Sequence, residues 1–432
     1  MAWFWRESEE LSRAEVDELA LRLLDEAHSR AKKRLQKVLL LPPDLTRAHS
    51  GAGKITETIY KALAQQCDVH VIPTLGQHVP HTAEQNCWMF GDIPNERIHV
   101  HDWLRGVTRI GVIPAERVGE STGGVANWEI PLDLNTSLVS EPWDLIINIG
   151  HVVPHEVLGF ANHNKNYFIG LGGKETICTS HMAAAIYGIE NNLGKLITPL
   201  RSCFNWAEKE FLSHLPDVYF QVVMKRSADK RLVTCGLYAG DDLETYLMAA
   251  RASKKENITI VEKPISKVVA VMQADEFHST WVANKAVYRT RMAIADRGEL
   301  LIIAPGLERF GEQESVDHLI RKYGYRGTPQ TLKAYEENSD LRKLAHAAAH
   351  LIHGSSEGRF IITYAPGHLR RDEIEQVNYH YMPLEEVLAR YPPASMKEGW
   401  NIMPDGEQVF FISTPSSGLW ATQERLDSRL SD

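Results

Sequence analysis

Four short clusters carry the residue types that do acid–base and ligand chemistry: Asp44-Leu45-Thr46-Arg47, Leu75-Gly76-Gln77-His78, Gly150-His151-Val152-Val153-Pro154-His155, and the run from Gly159 to Thr176 with Lys165 inside it. Imidazole titrates near neutrality, so His78 and His155 can take and give a proton. A lone histidine is more often structural, but two at the exits of strands in one domain shift the balance towards function. Arg47 offers a planar fork of donors that holds an anion or polarises a substrate oxygen. The same four residues equally suit a helix start, with Asp44 or Thr46 capping and Arg47 solvated. The run from Gly159 to Thr176 is too polar and glycine-rich for a core element. Gly170, Gly172 and Gly173 could bring backbone amides up to an anion at a helix beginning near Glu175. His181, on that helix, reads either as a metal ligand or as a capped surface histidine. Ser50-Gly51-Ala52-Gly53-Lys54 lacks the full phosphate-loop pattern.

The elements that must position these residues follow from hydrophobic periodicity. Leu19, Leu21, Leu23 and Leu24 among charged residues predict an amphipathic helix from Ser12 to Ala31, with Ser12 and Glu15 as a capping box. Short apolar runs predict buried strands at Val38–Leu41, Val69–Ile72, Leu145–Ile149 and Tyr219–Val223, and again at Val268–Val271, Leu300–Ile303, Phe360–Thr363 and Val409–Ile412. Thr82 can cap a helix from Ala83, and Leu341 to Ile352 reads as one helix. Strands alternating with helices predict α/β architecture with largely parallel sheets. The charged stretch Lys254 to Lys263 separates the two sets, giving domains 1–264 and 265–432. Because polar clusters follow three of the first four strands, they converge on the edge where open sheets bind ligands. The expected whole is two Rossmann-like α/β domains with the active site in the crevice between them.

Composition narrows the function classes. The 432 residues favour two domains, and 44% hydrophobic with 24% charged residues is ordinary for a soluble globular chain. A net charge of -9, from 47 basic and 56 acidic residues, argues against nucleic-acid binding. Met1 to Glu10 has neither the long apolar run of a signal nor that of a membrane span, so no membrane partner and a cytoplasmic location are expected. Cys67, Cys87, Cys178, Cys203 and Cys235 form no C-x-x-C pair, which speaks against a disulfide framework or a zinc knuckle.

Taken in order, Asp-x-Thr-Arg, Leu-Gly-x-His-x-Pro, Pro-His, a lysine and a histidine on the next helix resemble the N-terminal domain of the lactate racemase family. The resemblance implies a racemase or epimerase using a nickel-pincer nucleotide, a pyridinium mononucleotide joined to Lys165 through a thioamide. The nickel is held by one carbon and two sulfur atoms of that group and by His181. The resemblance also makes His78 and His155 the acid/base pair, and puts Asp44, Leu45, Thr46 and Arg47 at the cofactor, with Arg47 also at the substrate. Trp281-Val282-Ala283-Asn284-Lys285 resembles the family's substrate-carboxylate segment, with Lys285 and Trp281 as contacts. A tetragonal site of soft sulfur donors and one imidazole suits Ni(II).

Three departures stand out: Asn162-His163-Asn164 precedes the lysine where the family has Gly-Gly-Ala, Val282 replaces a glutamine and Val79 an arginine. The expected partners are a 2-hydroxy acid other than lactate, such as a larger hydroxy acid or sugar acid, and the enzymes that make the cofactor. Two other classes fit the same residues: a divalent-metal hydrolase or lyase built on His78, His155 and His181, and a non-catalytic hydroxy-acid-binding protein.

Overall fold

The computed structural model describes residues 2–31, 33–227, 229 and 231–427. The chain divides into two compact units, Met1–Ser180 with Lys195–Asn257, and His181–Gly194 with Ile258–Asp432. Where the sequence reading divides the chain once, after residue 264, the contacts divide it at Asn257 and also assign His181–Gly194 to the second unit. Among the described residues no helix is long and apolar enough to cross a membrane.

In the first unit, β1 (Ala2–Glu7), β2 (Lys37–Leu41), β3 (Asp68–Val71), β4 (Leu145–His151), β5 (Asp217–Arg226) and β6 (Leu232–Gly240) form one sheet in the order β1-β6-β5-β4-β2-β3. The neighbours β3, β2, β4 and β5 run parallel, while β5–β6 and β6–β1 are antiparallel. All four predicted runs lie in the parallel part. β4 is buried along its whole length, the mark of a strand covered on both faces. The antiparallel edge was not predicted, because β1 reads Ala-Trp-Phe-Trp-Arg-Glu with no uninterrupted aliphatic run.

Helix α1 (Arg13–Ala31) buries Val16, Leu19, Ala20, Leu23, Leu24 and Ala27 in the same core as Val38 and Leu40 of β2. Its start is the expected capping box, with Ser12 N donating to Glu15 at 2.8 Å and Glu15 N to the Ser12 hydroxyl at 3.3 Å. The other helices that matter for the site are α2 (Ala52–Leu63), α3 (Ala83–Phe90), α4 (Lys174–Tyr187) and α5 (Pro199–Ala207). The division between the units falls inside α4.

In the second unit, β7 (Ile265–Val271), β8 (Ile294–Ala304), β9 (Ile361–Pro366), β10 (His380–Tyr381), β11 (Gly399–Ile402) and β12 (Gln408–Ile412) are ordered β10-β9-β8-β7-β12-β11. All pairs are parallel except β11–β12 at one edge. The mixed α/β fold with parallel sheets is therefore as the alternation predicts. One helix is not: Leu344, at φ -126° and ψ 56°, breaks Leu341 to Ile352 into Ser339–Lys343 and α6 (Ala345–His353). Leu341 and every residue of α6 are buried, so periodicity alone did not reveal the break. The segment His181–Gly194 is fastened to its unit by Glu190, which accepts from Arg291 Nε at 3.0 Å and Arg359 Nη2 at 2.9 Å.

Candidate active site

The first cluster forms a 3₁₀ turn, Leu45–Ser50, directly beyond β2. Asp44 stands at its N-cap but makes no capping bond there. Its buried carboxylate instead accepts from the Thr46 hydroxyl at 2.6 Å and from His78 Nδ1, also at 2.6 Å. Between the two readings left open by the sequence, the helix cap is thus the one the geometry does not use. Burial alone would push the Asp44 carboxyl up; the hydrogen bond and charge of His78, the Thr46 hydroxyl and the charge of Lys165 bring it down to about 2.

Asp44 consequently stays ionised and takes the His78 Nδ1 proton as a hydrogen bond, leaving Nε2 of the half-exposed ring as the acceptor. His81, which sequence reasoning passed over, accepts from Leu45 N at 3.0 Å through Nε2 and pairs with Asn86 through Nδ1, fixing the start of this turn. Thr82 caps α3 in a capping box with Gln85, as predicted. Val79 is 84% exposed beside His78.

The run around Lys165 overturns the expectation that it is too polar for the core. From Gly159 to Gly173 every residue is buried except half-buried Lys165. Several of its polar groups are paired within the run or with residues brought to it from elsewhere. Asn166 Nδ2 donates to Asn148 and Asn162, both at 2.7 Å, and Asn164 Nδ2 donates to Asn205 at 2.7 Å and Glu208 at 2.9 Å. Fully buried Arg201, on α5, reaches Phe160 O at 2.6 Å, Asn162 O at 3.3 Å and the Asn164 side chain, and lies over the Tyr246 ring. Arg201 is remote in sequence from the residues it holds, and no local pattern marked it.

Two consecutive residues before the lysine, Asn162 at φ 70° and His163 at φ 59°, adopt the left-handed conformation that glycine takes freely. This accounts for the departure from Gly-Gly-Ala. The positions still demand a positive φ, and this chain meets the demand with side chains that are then used: Asn162 in the amide network and His163 stacked on Tyr219 at 4.1 Å. The conformation costs on the order of 1–3 kcal/mol per residue and persists only where surroundings impose it. Lys165 follows, leading into a π-helical turn, Asn166–Gly170.

Lys165 lies in the field of Arg47, Arg201, Asp44 and Glu156. Burial first, then the charge of Arg47, draws its ammonium down to about 8 against the opposing pull of Asp44 and Glu156. A substantial share of neutral amine at physiological pH is the state a nucleophilic or acylated lysine requires. Arg47 is itself drawn down by burial, with Asp44 and Glu156 opposing, yet a guanidinium remains charged.

The glycines after Lys165 do not cradle an anion. Gly173 N donates to Asp133 O at 2.7 Å and Gly172 N to Ile169 O at 3.4 Å. A Cβ would stand 2.0 Å from Phe168 O at Gly172 and 2.5 Å from Thr74 Cβ at Gly170. These positions are glycine because chain packs on chain. One such contact, Gly76 N to Gly170 O at 2.8 Å, ties the His78 loop to the turn that follows Lys165.

His155 ends the short strand Pro154–His155, paired with Gly159–Phe160. Its buried Nδ1 accepts from the amides of Val157 at 3.2 Å and Leu158 at 3.4 Å. In the second unit, His181 is half-buried in the interior of α4 rather than at its end. The Trp281 ring stacks on His350 at 4.2 Å, and Lys285 Nζ stands 5.7 Å from the Phe277 ring. His350 is held by Tyr288 at 2.8 Å and Tyr325 at 2.9 Å, a buried partner for Trp281 that sequence alone did not single out. Asp44, Arg47, His78, His155 and Lys165 thus share the first unit, and His181, Trp281 and Lys285 the second. Among the described residues, no three His, Cys, Asp or Glu side chains gather in a group that could hold a metal ion.

Residues 10–193 match the lactate racemase N-terminal domain. Among solved structures, a protein from Thermotoga maritima is similar with a TM-score of 0.78 at 22% identity, over 97% of this chain and 100% of that one. The lactate racemase apoprotein from Thermoanaerobacterium thermosaccharolyticum is similar with a TM-score of 0.70 at 16% identity, over 96% of this chain and 94% of that one. At these identities the likeness bears on the fold. No curated protein matches the chain. That N-terminal domain lies over the Asp44–Arg47 turn, His78, His155 and the Lys165 segment, so it is this part of the chain that is similar to the lactate racemase family.

Proposed function

We propose that this protein is an isomerase that inverts C2 of a 2-hydroxy acid, using a nickel-pincer nucleotide attached to Lys165. The observation that carries the reading is Lys165 itself: a lysine drawn down to about 8, presented by two left-handed residues and braced by Arg201, inside the segment that matches the lactate racemase N-terminal domain. Attachment through an amide-type bond needs the neutral amine, which these surroundings favour. Leu45, Thr46 and Arg47 would hold the cofactor with Asp44 behind them, and His181 would supply the one imidazole that the metal needs from the chain.

When bound, the cofactor supplies the acceptor and donor of the C2 hydride. The chain's own part is to bind, orient and move protons. Arg47 would hold the carboxylate by charge, and His78 and His155 would exchange the hydroxyl proton. Asp44 orients the His78 ring by accepting from its Nδ1. Paired acid/base work of this kind contributes about 10²–10⁴-fold per proton transfer. The valines at 79 and 282 remove two polar groups from the family pattern, which favours a substrate other than lactate, such as a larger hydroxy acid or a sugar acid.

Expression together with cofactor-synthesis enzymes, followed by intact-mass measurement, tests the reading. We expect a mass increase located on Lys165, bound nickel, and inversion of a 2-hydroxy acid by chiral analysis, all abolished in Lys165→Ala. An unmodified Lys165 without nickel would sink it.

A further inference from the structure

His78 and His155 are held by opposite kinds of partner. His78 Nδ1 faces an ionised carboxylate, Asp44, at 2.6 Å. A carboxylate accepts only, so Nδ1 carries hydrogen and Nε2 presents a lone pair. His155 Nδ1 faces two backbone amides, Val157 and Leu158, which donate only. There Nδ1 presents the lone pair, and the ring hydrogen sits on Nε2. Protonating His155 Nδ1 would set N–H against N–H and strand two amides, each costing about 1–3 kcal/mol in a buried setting.

The hairpin that imposes this is rigid. Ala161 N donates to Val153 O at 2.8 Å, and at Gly159, with φ 77°, a Cβ would fall 1.9 Å from Lys195 O. The amides of Val157 and Leu158 are therefore held against the His155 ring by the backbone of this hairpin.

Resting on the isomerase reading above, we infer that the two histidines are chemically unequal: His78 is the proton-exchanging base, and His155 in the resting protein is a neutral hydrogen-bond donor through Nε2. The substrate configuration whose hydroxyl meets His78 is then oxidised directly. Its O–H proton passes to His78 Nε2 as the C2=O bond forms, and the C2–H electron pair is what the cofactor, when bound, would accept as hydride. His155 stabilises developing charge as a neutral imidazole can, by donating without losing its proton. The opposite configuration, which would use His155 as base, first requires its ring to leave the two amides so that Nδ1 can hold the proton.

The test has two arms. ¹⁵N NMR of the histidine-labelled apoprotein, with His155 assigned by its absence in His155→Gln, reads the tautomer at neutral pH without cofactor. We expect the Nε2–H form; an Nδ1–H form or an imidazolium overturns the inference. In cofactor-loaded protein, single-turnover formation of keto acid is followed from each enantiomer separately. Glutamine places an N–H near the position of histidine Nε2, so His155→Gln should oxidise one enantiomer within about tenfold of the unaltered protein and the other at least about a hundredfold more slowly, whereas His155→Ala should impair both. Equal loss of both enantiomers in His155→Gln overturns the assignment. If Lys165 proves unmodified, the functional reading falls while the tautomer measurement still decides this one.

Discussion

The chemistry turns on side chains whose charge is set by what lies beside them. Asp44 is buried yet ionised, because His78, Thr46 and Lys165 outweigh its desolvation. Its folded pKa of about 2 lies below the ordinary value, so the stability it contributes is present above about pH 4 and is lost as the pH falls towards 2. Asp44→Asn should erase that acid limb in thermal melts and, in loaded protein, lower turnover by about 10²-fold or more. Glu208 and Asp217 behave oppositely. Burial raises both: Glu208, with the charge of Asp217 adding, to about 7, and Asp217, against the hydrogen bonds of Tyr167 and Tyr219, to about 6. Their contribution is complete below their ordinary values and is lost as the pH rises to about 7, so Glu208→Gln should flatten the decline in melting temperature between about pH 4.5 and 7. His78, His155 and Lys165 were proposed from the sequence because their order along the chain resembles the lactate racemase pattern. Arg201 and Glu208 were not, because what singles them out is a contact with a distant segment.

At the scale of elements, the run from Gly159 to Gly173 shows where composition misleads. Polar residues normally signal a solvated loop, yet Asn148, Asn162, Asn164 and Asn166 are buried because each finds a partner. Matched donors and acceptors make such a core tolerable, and nothing in the sequence announces the match. Arg201 is the hub, so Arg201→Met should destabilise the protein by about 3–5 kcal/mol in denaturant titrations, leaving buried carbonyls unmet. Arg201→Lys should recover only part of the loss, since a single ammonium lacks the planar fork. The eight predicted strands, by contrast, were readable, because each carries a short, largely apolar run, as a mostly buried strand must. The edge strand β1 and the break at Leu344 escaped, as neither needs an apolar pattern of its own.

For the molecule as a whole, the alternation of strands and helices gave two α/β units, but not the transfer of His181–Gly194 to the second. That assignment rests on Glu190, which sits between Arg291 and Arg359 within the second unit. Burial alone would push its carboxyl up, and the two arginines bring it down. Glu190→Gln should cost about 3 kcal/mol in global stability, because Arg291 is 2% exposed and would keep its charge without a counter-charge. The same substitution should lower protection from proteolysis around His181–Gly194 more than around Lys165, which limited digestion followed by mass mapping would show.

The left-handed pair Asn162–His163 carries one more consequence. The amides of Asn166, Tyr167, Phe168 and Leu171 are all bonded to carbonyls of this run, and the run is sealed beneath its own polar network. Deuterium should therefore enter these amides only when much of the first unit opens, although the Lys165 amine they carry is drawn towards its reactive form. Backbone exchange and side-chain reactivity would then be decoupled within one short segment: slow to open, quick to react.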